Sequence, residues 1–359
     1  LTVKNSINYF DRSIELPEFL FQGRQDASFS EVALNVEKQK NSWVAGLNLW
    51  TGRFDEGQAA ISRDYTNQTF GLFGQHTWQA SRNFSLESGL RMDYHSDYRW
   101  FLLPRLSALL ILSHNWTVRA GGGLGYKAPT IFTEESERLA YRNILPLAIA
   151  RTKAETSLGA NFDINYRAIL FGRATIAINN LFFYTRLANP LALNFDGQHF
   201  FFENASGTLK SKGLETNAKF TLEDLTLFIN YTLLDVRQDY GGDQRPKSLT
   251  PRHNLGASLM YETERWRAGY EAYYTGHQFL EDRTRVRDYW TMGFMAMCTW
   301  PGLSLFINFE NFTDVRQSRF QPMFEPPHQS PTFNEIWAPT DGFIFSVGAK
   351  IEVLGARNR

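Results

Sequence analysis

The sequence predicts an all-β protein, an antiparallel transmembrane β-barrel with about sixteen strands of roughly 9–15 residues each. Three observations predict it: apolar residues alternate with polar ones, aromatic residues are in excess, and the connections alternate between short and long. The chain of 359 residues contains 30 Phe, 15 Tyr and 9 Trp. A soluble protein has little use for so many rings, whereas a membrane barrel places them at its two interfaces with the lipid.

The clearest alternation lies in residues 151–167, where the odd positions are polar or small and the even positions include Leu158, Phe162 and Ile164. A period of two indicates a strand with one polar and one apolar face. Similar segments are 84–95, 116–126, 266–274, 303–309 and 343–351. Strands of soluble proteins average about 5–6 residues, so these lengths favour a membrane barrel over a soluble β-sandwich or propeller.

The connections between the predicted strands fall into two groups. Short turns include residues 80–83, 262–264 and 301–302, and long connections run over 127–150, 236–251, 276–287 and 316–341. Outer-membrane barrels have tight periplasmic turns and extended extracellular loops. We therefore expect residues 1–359 to form a single barrel domain whose long connections face outward.

Charge and composition exclude several function classes. Lys plus Arg and Asp plus Glu each number 37, so the chain lacks the basic excess of a nucleic-acid-binding protein. The single cysteine, Cys298, excludes an intrachain disulfide and a multi-cysteine metal site. The glycines of GGGLG (121–125) precede no helical pattern, and the histidines lack the helical spacing of a zinc site. We predict no enzyme, no catalytic residue, no metal site and no cofactor.

Six segments, in order, resemble the barrel of TonB-dependent outer-membrane receptors, the active importers of iron complexes and cobalamin. They are GYKAPTIF (125–132), AETSLGANFDINYR (154–167), FENASGTLKSKGLETNAKF (202–220), LTPRHNLGASLMY (249–261), NFTDVRQSRF (311–320) and APTDGFIFSVGAKI (338–351). The positions that carry the resemblance are Tyr126, Lys127, Ala128, Pro129, Glu203, Asn204, Gly213, Glu215, His253, Asn311 and Asp314.

The resemblance implies that these strands are the C-terminal part of a 22-stranded barrel in the bacterial outer membrane. We expect the plug domain, coupling box and signal peptide of that family to be absent from this chain. The implied function is capture of a scarce metal complex, with an iron–siderophore favoured over haem, cobalamin or an oligosaccharide, and its import with energy supplied by TonB. The implied protein partners are the TonB complex, which the receptor contacts through its plug domain, and a surface lipoprotein. The other implied partners are a metal–chelate ligand, the lipid bilayer and lipopolysaccharide. The alternatives are a passive porin-like channel formed by this chain alone and an adhesion or anchor barrel.

Ligand contacts are expected in the long connections, which are rich in arginine and aromatic residues. Arginine binds carboxylates and anionic chelates with two hydrogen bonds, and aromatic rings stack on flat ligands or bind cations. The predicted ligand-binding residues are Arg138, Tyr141, Arg142, Tyr240, Arg245, His277, Arg283, Arg285 and Trp337.

Overall fold

Sixteen strands follow one another along the chain, and each pairs antiparallel with the next. The computed structural model describes residues 1–17, 19–57, 61–328 and 331–352. The strands are β1 (Thr2–Leu16), β2 (Phe19–Lys38), β3 (Asn41–Gly57), β4 (Tyr65–Trp78), β5 (Phe84–His95), β6 (Arg99–Ile111), β7 (Trp116–Lys127), β8 (Glu155–Leu170), β9 (Ala174–Ala188), β10 (Gly207–Leu222), β11 (Leu225–Tyr240), β12 (His253–Glu262), β13 (Trp266–Thr275), β14 (Tyr289–Trp300), β15 (Leu303–Glu310) and β16 (Ile344–Ile351). The predicted all-β class and strand number are confirmed.

The alternation of short and long connections that the sequence predicts appears from β7 onward, since the connections 79–83, 96–98 and 112–115 between β4 and β7 are all short. At one end of the sheet the strands are joined by tight turns, and at the other end lie the long connections 128–154, 189–206, 241–252, 276–288 and 311–343. We call the latter the long-loop end. It contains the short helix α1 (Glu134–Arg138), a 3₁₀ turn (Gln317–Arg319), the strand Asp243–Pro246 beside β11, and the strand pairs Leu191–Phe195 with Phe200–Asn204, Gln278–Phe279 with Arg285–Val286, and Phe324–Glu325 with Thr332–Phe333.

None of the helices in the described ranges is long and apolar enough to cross a membrane.

The two faces of the sheet differ in chemistry. On β8 the side chains of Glu155 and Asp163 lie on one face and are buried, whereas Leu158 and Phe162 lie on the other and are 52 % and 40 % exposed. We call these the polar face and the apolar face. Large exposed apolar side chains also occur on β2, β3, β4, β6 and β9. So wide an apolar surface is unfavourable in water and is what a lipid-facing barrel wall requires.

The pairing between β6 and β7 is incomplete. Their ladder covers residues 105–111 of β6 and 117–123 of β7, and Pro104, just beyond it, has no N–H to donate. Beyond this point, within the described part of the chain, residues 99–104 of β6 pair only with β5 and residues 124–127 of β7 pair only with β8. The ring of Tyr126 stacks on Phe101 with centroids 3.7 Å apart. We call this stretch the β6–β7 seam.

The first and last strands form the edges of the sheet. In the part of the chain that the structure describes, β1 pairs only with β2 and β16 only with β15. Their side chains are highly exposed, with Ile7 at 81 % and Val347 at 72 %. An edge strand presents unpaired N–H and C=O groups.

Candidate ligand-binding site

The long-loop end has a small hydrophobic core of its own. Its buried members are Phe21, Phe54, Ile131, Tyr141, Ile144 and Phe202. Tyr141 is 1 % exposed, and its ring stacks on Phe21 with centroids 4.5 Å apart. Since these rings come from strands β2 and β3 as well as from the connections, the core fixes connection 128–154 against the sheet.

A buried arginine strengthens this attachment. Arg63 forms an ion pair with both carboxylate oxygens of Glu56, with 2.7 Å between Nε and Oε2, and both side chains are almost completely buried. The same guanidinium donates to the backbone carbonyl of Tyr141 at 2.8 Å. Arg63 therefore joins β3 to connection 128–154 while its own charge is balanced by Glu56.

A second arginine binds the same connection from β1. Arg12 donates to the two carboxylate oxygens of Glu137 at 2.5 and 2.7 Å, and the hydroxyl of Tyr141 donates to Oε1 at 2.7 Å. The hydrogen bonds from Arg12 and Tyr141 lower the pKa of Glu137. Burial and the neighbouring carboxylate raise the pKa of Tyr141, so Tyr141 stays a neutral donor.

Asn204 connects two of the long connections. Its Oδ1 accepts from the Lys153 N–H at 2.6 Å, and its Nδ2 donates to the carbonyls of Lys153 at 3.0 Å and Asn189 at 2.7 Å. Glu155 adds to the same junction by accepting from the N–H of Leu191 at 2.8 Å. This asparagine satisfies three backbone groups at once, which explains its place in the sequence pattern.

Replacing Asn204 with leucine is expected to loosen this junction. Leucine has nearly the same size but removes all three hydrogen bonds. Because water can reach Lys153, each lost bond is expected to cost about 0.5–1.5 kcal/mol. Hydrogen exchange should become faster around Lys153 and Asn189. The matched control is Asn194→Leu in the same hairpin, because Asn194 donates only to the exposed Glu203. Equal exchange in both variants would contradict the role given to Asn204.

Beside this junction lies a cavity of about 950 Å³, which we call the loop cavity. Four long connections and the end of β11 form its wall. The lining residues are Glu135, 191–194, 203–206, Gln238, Tyr240, 244–248, 279–281 and Arg283. Small-molecule sites have volumes of about 300–1,000 Å³. The loop cavity is therefore the candidate ligand-binding site.

Charges of both signs line the loop cavity. Arg283 pairs with Asp243 at 2.5 Å, and Glu203 accepts from the side chain of Asn194 at 3.0 Å. Arg245 and Lys247 belong to no salt bridge within the described residues. An arginine without a carboxylate partner can offer its planar set of donors to an anion. Arg245 is the cationic lining residue best placed to bind one.

Arg138 ties three long connections together at the margin of the cavity. It forms ion pairs with Glu281, a lining residue, and with Glu335, where Nη1 and Oε1 are 3.4 Å apart. Burial opposes the charge of Arg138, but its hydrogen bond to Glu281 and the charges of both glutamates outweigh this effect, so the pKa of Arg138 is raised. Its guanidinium is thus already engaged by protein carboxylates.

The structure brings three of the nine predicted ligand contacts into the loop cavity, namely Tyr240, Arg245 and Arg283. His277 and Arg285 lie on the neighbouring connection 276–288, where burial and then the charge of Arg285 lower the pKa of His277. Arg142 is exposed and lies outside the lining. The predicted ligand contacts therefore do not all line one cavity.

Two predicted ligand contacts are buried and pack within the loops. Tyr141 lies in the core described above, and Trp337 is 5 % exposed beside Val286 and Ala338. The backbone N–H of Trp337 donates to the side chain of Gln317 at 2.8 Å. Their rings stabilise the connections, because a connection this long needs apolar contacts of its own to hold one conformation.

The positions that carry the sequence pattern have mainly structural contacts. Asn311 donates to the carbonyl of Val315 at 2.7 Å and accepts from its N–H at 3.1 Å, while Asp314 accepts from the N–H of Phe343 at 3.1 Å, so together they close the connection 311–343. Gly213 allows β10 to approach β11 closely, because a Cβ at this position would lie only 2.5 Å from the carbonyl oxygen of Leu233.

The remaining pattern positions have similar roles on the strands. Tyr126 donates to Asp93 at 3.1 Å, and Nδ1 of His253 lies 2.9 Å from the hydroxyl of Tyr231. Glu215 accepts from Asn217 at 2.8 Å, and Lys127 pairs in register with Glu155. Ala128 and Pro129 begin connection 128–154. Of the eleven, Glu203 and Asn204 line the loop cavity.

Sequence reasoning missed Glu281 and Gln317. The first pairs with Arg138, 143 residues away, and the second is fully buried and orders the backbone of Glu335 and Trp337. No periodicity relates residues in separate loops, so the sequence carried no signal for either contact.

The family described as "TonB dependent receptor-like, beta-barrel" matches residues 4–312 of the chain. A ferric enterobactin receptor mutant from Pseudomonas aeruginosa in complex with enterobactin is similar with a TM-score of 0.71 and 16 % identity, over 97 % of this chain and 58 % of that one. The siderophore receptor PirA from Pseudomonas aeruginosa is similar with a TM-score of 0.68 and 17 % identity, over 93 % of this chain and 58 % of that one. The copper transporter OprC is similar with a TM-score of 0.70 and 14 % identity, over 93 % of this chain and 57 % of that one. No curated protein matches.

The chain spans between half and three fifths of the length of these solved proteins. At such identities the likeness shows the fold, while the family match covers most of the chain. The predicted recognition and location are confirmed: the chain belongs to the TonB-dependent receptor β-barrel family and lies in the bacterial outer membrane.

Proposed function

We propose that this chain supplies the ligand-capturing surface and the wall of an importer that takes up a metal chelate, an iron–siderophore above all, with energy delivered by TonB. The observation that carries the proposal is the loop cavity at the long-loop end, where Tyr240 and Arg245 from one hairpin meet Arg283 from connection 276–288. In this orientation the long-loop end faces outward and the polar face lines the lumen.

The chemistry of the cavity fits a chelate better than a bare ion. Its volume of about 950 Å³ can hold an organic ligand, and a metal ion alone would need a compact set of protein ligands. In the described part of the chain no cluster of three or more His, Cys, Asp or Glu side chains is arranged to hold a metal. Arg245 would bind an anionic oxygen of the ligand, and Tyr240 would contact an aromatic or apolar part.

Transport requires a step beyond capture. The resemblance implies that a plug domain moves when TonB acts on it, and that lipopolysaccharide and a surface lipoprotein surround the barrel. A neighbour of this fold is a copper transporter, so copper complexes form the second ligand class to be tested.

Arg245→Ala tests the proposal. With a ferric tris-catecholate as the probe, we expect the variant to bind about tenfold more weakly, since one charge-assisted hydrogen bond contributes about 1.5–3 kcal/mol. Binding can be followed by fluorescence quenching of the chain in detergent. Arg142→Ala is the control, because Arg142 is exposed at the same end but lies outside the cavity lining.

The result would count against the proposal if Arg245→Ala and Arg142→Ala bound the probe equally, or if the probe did not bind the folded chain. Binding of a copper complex in place of the ferric one would keep capture of a metal chelate and change its metal. A steady ion current through the reconstituted chain, without any chelate binding, would favour the passive channel.

A further inference from the structure

A second cavity, of about 530 Å³, lies apart from the loop cavity, between the polar face of strands β3 to β5 and connection 128–154. We call it the aromatic cavity. Among the described residues, five aromatic side chains line it: Trp50, Tyr65, Tyr98, Tyr126 and Phe132. Its lining shares no residue with the loop cavity.

The tyrosine hydroxyls are all engaged by protein groups. Tyr98 hydrogen-bonds with the hydroxyl of Thr152 at 3.0 Å, Tyr126 donates to Asp93 at 3.1 Å, and Tyr65 accepts from Gln25 at 3.4 Å. These contacts leave the rings, rather than the hydroxyls, as the groups that the aromatic cavity offers. Aromatic faces carry negative charge density and attract cations.

The ionisable groups of the lining give it a negative balance. Asp64 and Asp97 carry carboxylates, and the hydrogen bond from the backbone N–H of Glu56 lowers the pKa of Asp64. The one arginine in the lining, Arg63, is matched by Glu56. The one histidine, His95, is buried and accepts from the backbone N–H of Asp97 at 3.1 Å.

An acceptor without a partner also lies in the lining. Oδ1 of Asn67 is buried and has no hydrogen-bond partner among the described residues. Gly52 makes room for it, since a Cβ there would lie 2.8 Å from this oxygen and 2.5 Å from the ring of Trp50. A buried amide oxygen left unpaired is unfavourable unless a donor fills the space beside it.

From the aromatic rings, the two carboxylates and the unpaired amide oxygen, we infer that the aromatic cavity binds a compact organic cation, of the alkylammonium class. The rings of Trp50 and the tyrosines contact the cation, Asp97 balances its charge, and Asn67 accepts from a donor on the ligand. This site is separate from chelate capture and does not depend on the identity of the ligand in the loop cavity.

The test compares choline with 3,3-dimethylbutan-1-ol, a neutral molecule of the same shape in which carbon replaces nitrogen. Binding is measured by titration calorimetry on the full chain in a maltoside detergent, because a detergent with a choline headgroup would compete. Choline should bind about tenfold more tightly than the neutral alcohol, the size expected for a desolvated cation on aromatic rings with a carboxylate.

Two variants locate the site. Asp97→Asn keeps the shape of the side chain and should weaken choline binding by about tenfold without changing the binding of the alcohol. Gly52→Ala should weaken choline by displacing Trp50 and Asn67, while Gly74→Ala on β4 should not, because a Cβ at Gly74 has nothing within 4 Å. Circular dichroism checks the fold of each variant.

Equal binding of choline and the alcohol would overturn the inference, and so would failure of the folded chain to bind choline. Choline binding that Asp97→Asn and Gly52→Ala leave unchanged would place the cation elsewhere and overturn it as well. Since the probe in the loop cavity is an anionic chelate, these outcomes are independent of the Arg245→Ala experiment.

Discussion

Replacing Arg63 with alanine is expected to destabilise the attachment of connection 128–154 by about 3–5 kcal/mol, the usual cost of removing one partner of a buried ion pair. The variant leaves the carboxylate of Glu56 buried without its partner. It also removes the hydrogen bond to the carbonyl of Tyr141. The measurement is hydrogen exchange of the connection, which reports the free energy of its local opening.

The matched control for this variant is Arg53→Ala on β3, the strand that also carries Glu56. Arg53 pairs with Asp55 at 2.8 Å, but its side chain is 63 % exposed, so water replaces the lost contact in Arg53→Ala and little change is expected. A second control, Arg63→Lys, keeps the charge but loses the two-fold contact with Glu56 and should fall between the wild type and Arg63→Ala. If Arg63→Ala exchanged no faster than Arg53→Ala, the buried pair would not hold the connection in place.

Tyr141→Ala should have an effect of similar size, about 3–5 kcal/mol, because truncating a buried ring leaves a cavity in the core of the long-loop end. The ring of Tyr141 stacks on Phe21 and lies near Phe132, with centroids 5.8 Å apart in an edge-on arrangement. Guanidinium unfolding followed by aromatic circular dichroism would detect the loss, together with faster exchange of connection 128–154.

Tyr141→Phe separates packing from hydrogen bonding at the same position. It keeps the stacking and removes the donor to the charged Glu137, so its cost should be about 1.5–3 kcal/mol. Because Tyr141 is buried, Tyr141→Phe should leave chelate affinity unchanged. A loss of affinity with normal stability would show that the hydroxyl contacts ligand, as the sequence alone suggested.

Most of the strands could be predicted because they obey one physical rule. A strand between lipid and water needs apolar and polar side chains in strict alternation, and β8 shows this from Glu155 onward. The tight turns and long connections follow from the same segmentation. The prediction of sixteen antiparallel strands therefore needed only local sequence.

The candidate site depended on contacts that local sequence does not encode. Arg245 lines the loop cavity, whereas Arg138 is engaged by Glu281 and Glu335 from other connections. Tyr141 and Trp337 looked like ligand contacts because rings in loops usually serve binding, and both instead pack inside the loops. A long connection that holds one conformation spends some of its aromatic residues on its own core.

The β6–β7 seam gives the wall a mechanical weak point. A sheet carries load between neighbouring strands through its ladder of hydrogen bonds, and past Pro104 the described ladder between these two strands ends. In its place the strands meet through the stacked rings of Phe101 and Tyr126, and the hydroxyl of Tyr126 donates to Asp93 on β5. Under lateral pressure from the bilayer, residues 99–104 of β6 and 124–127 of β7 should therefore separate more easily than stretches of the wall in which a hydrogen-bond ladder joins the two neighbours.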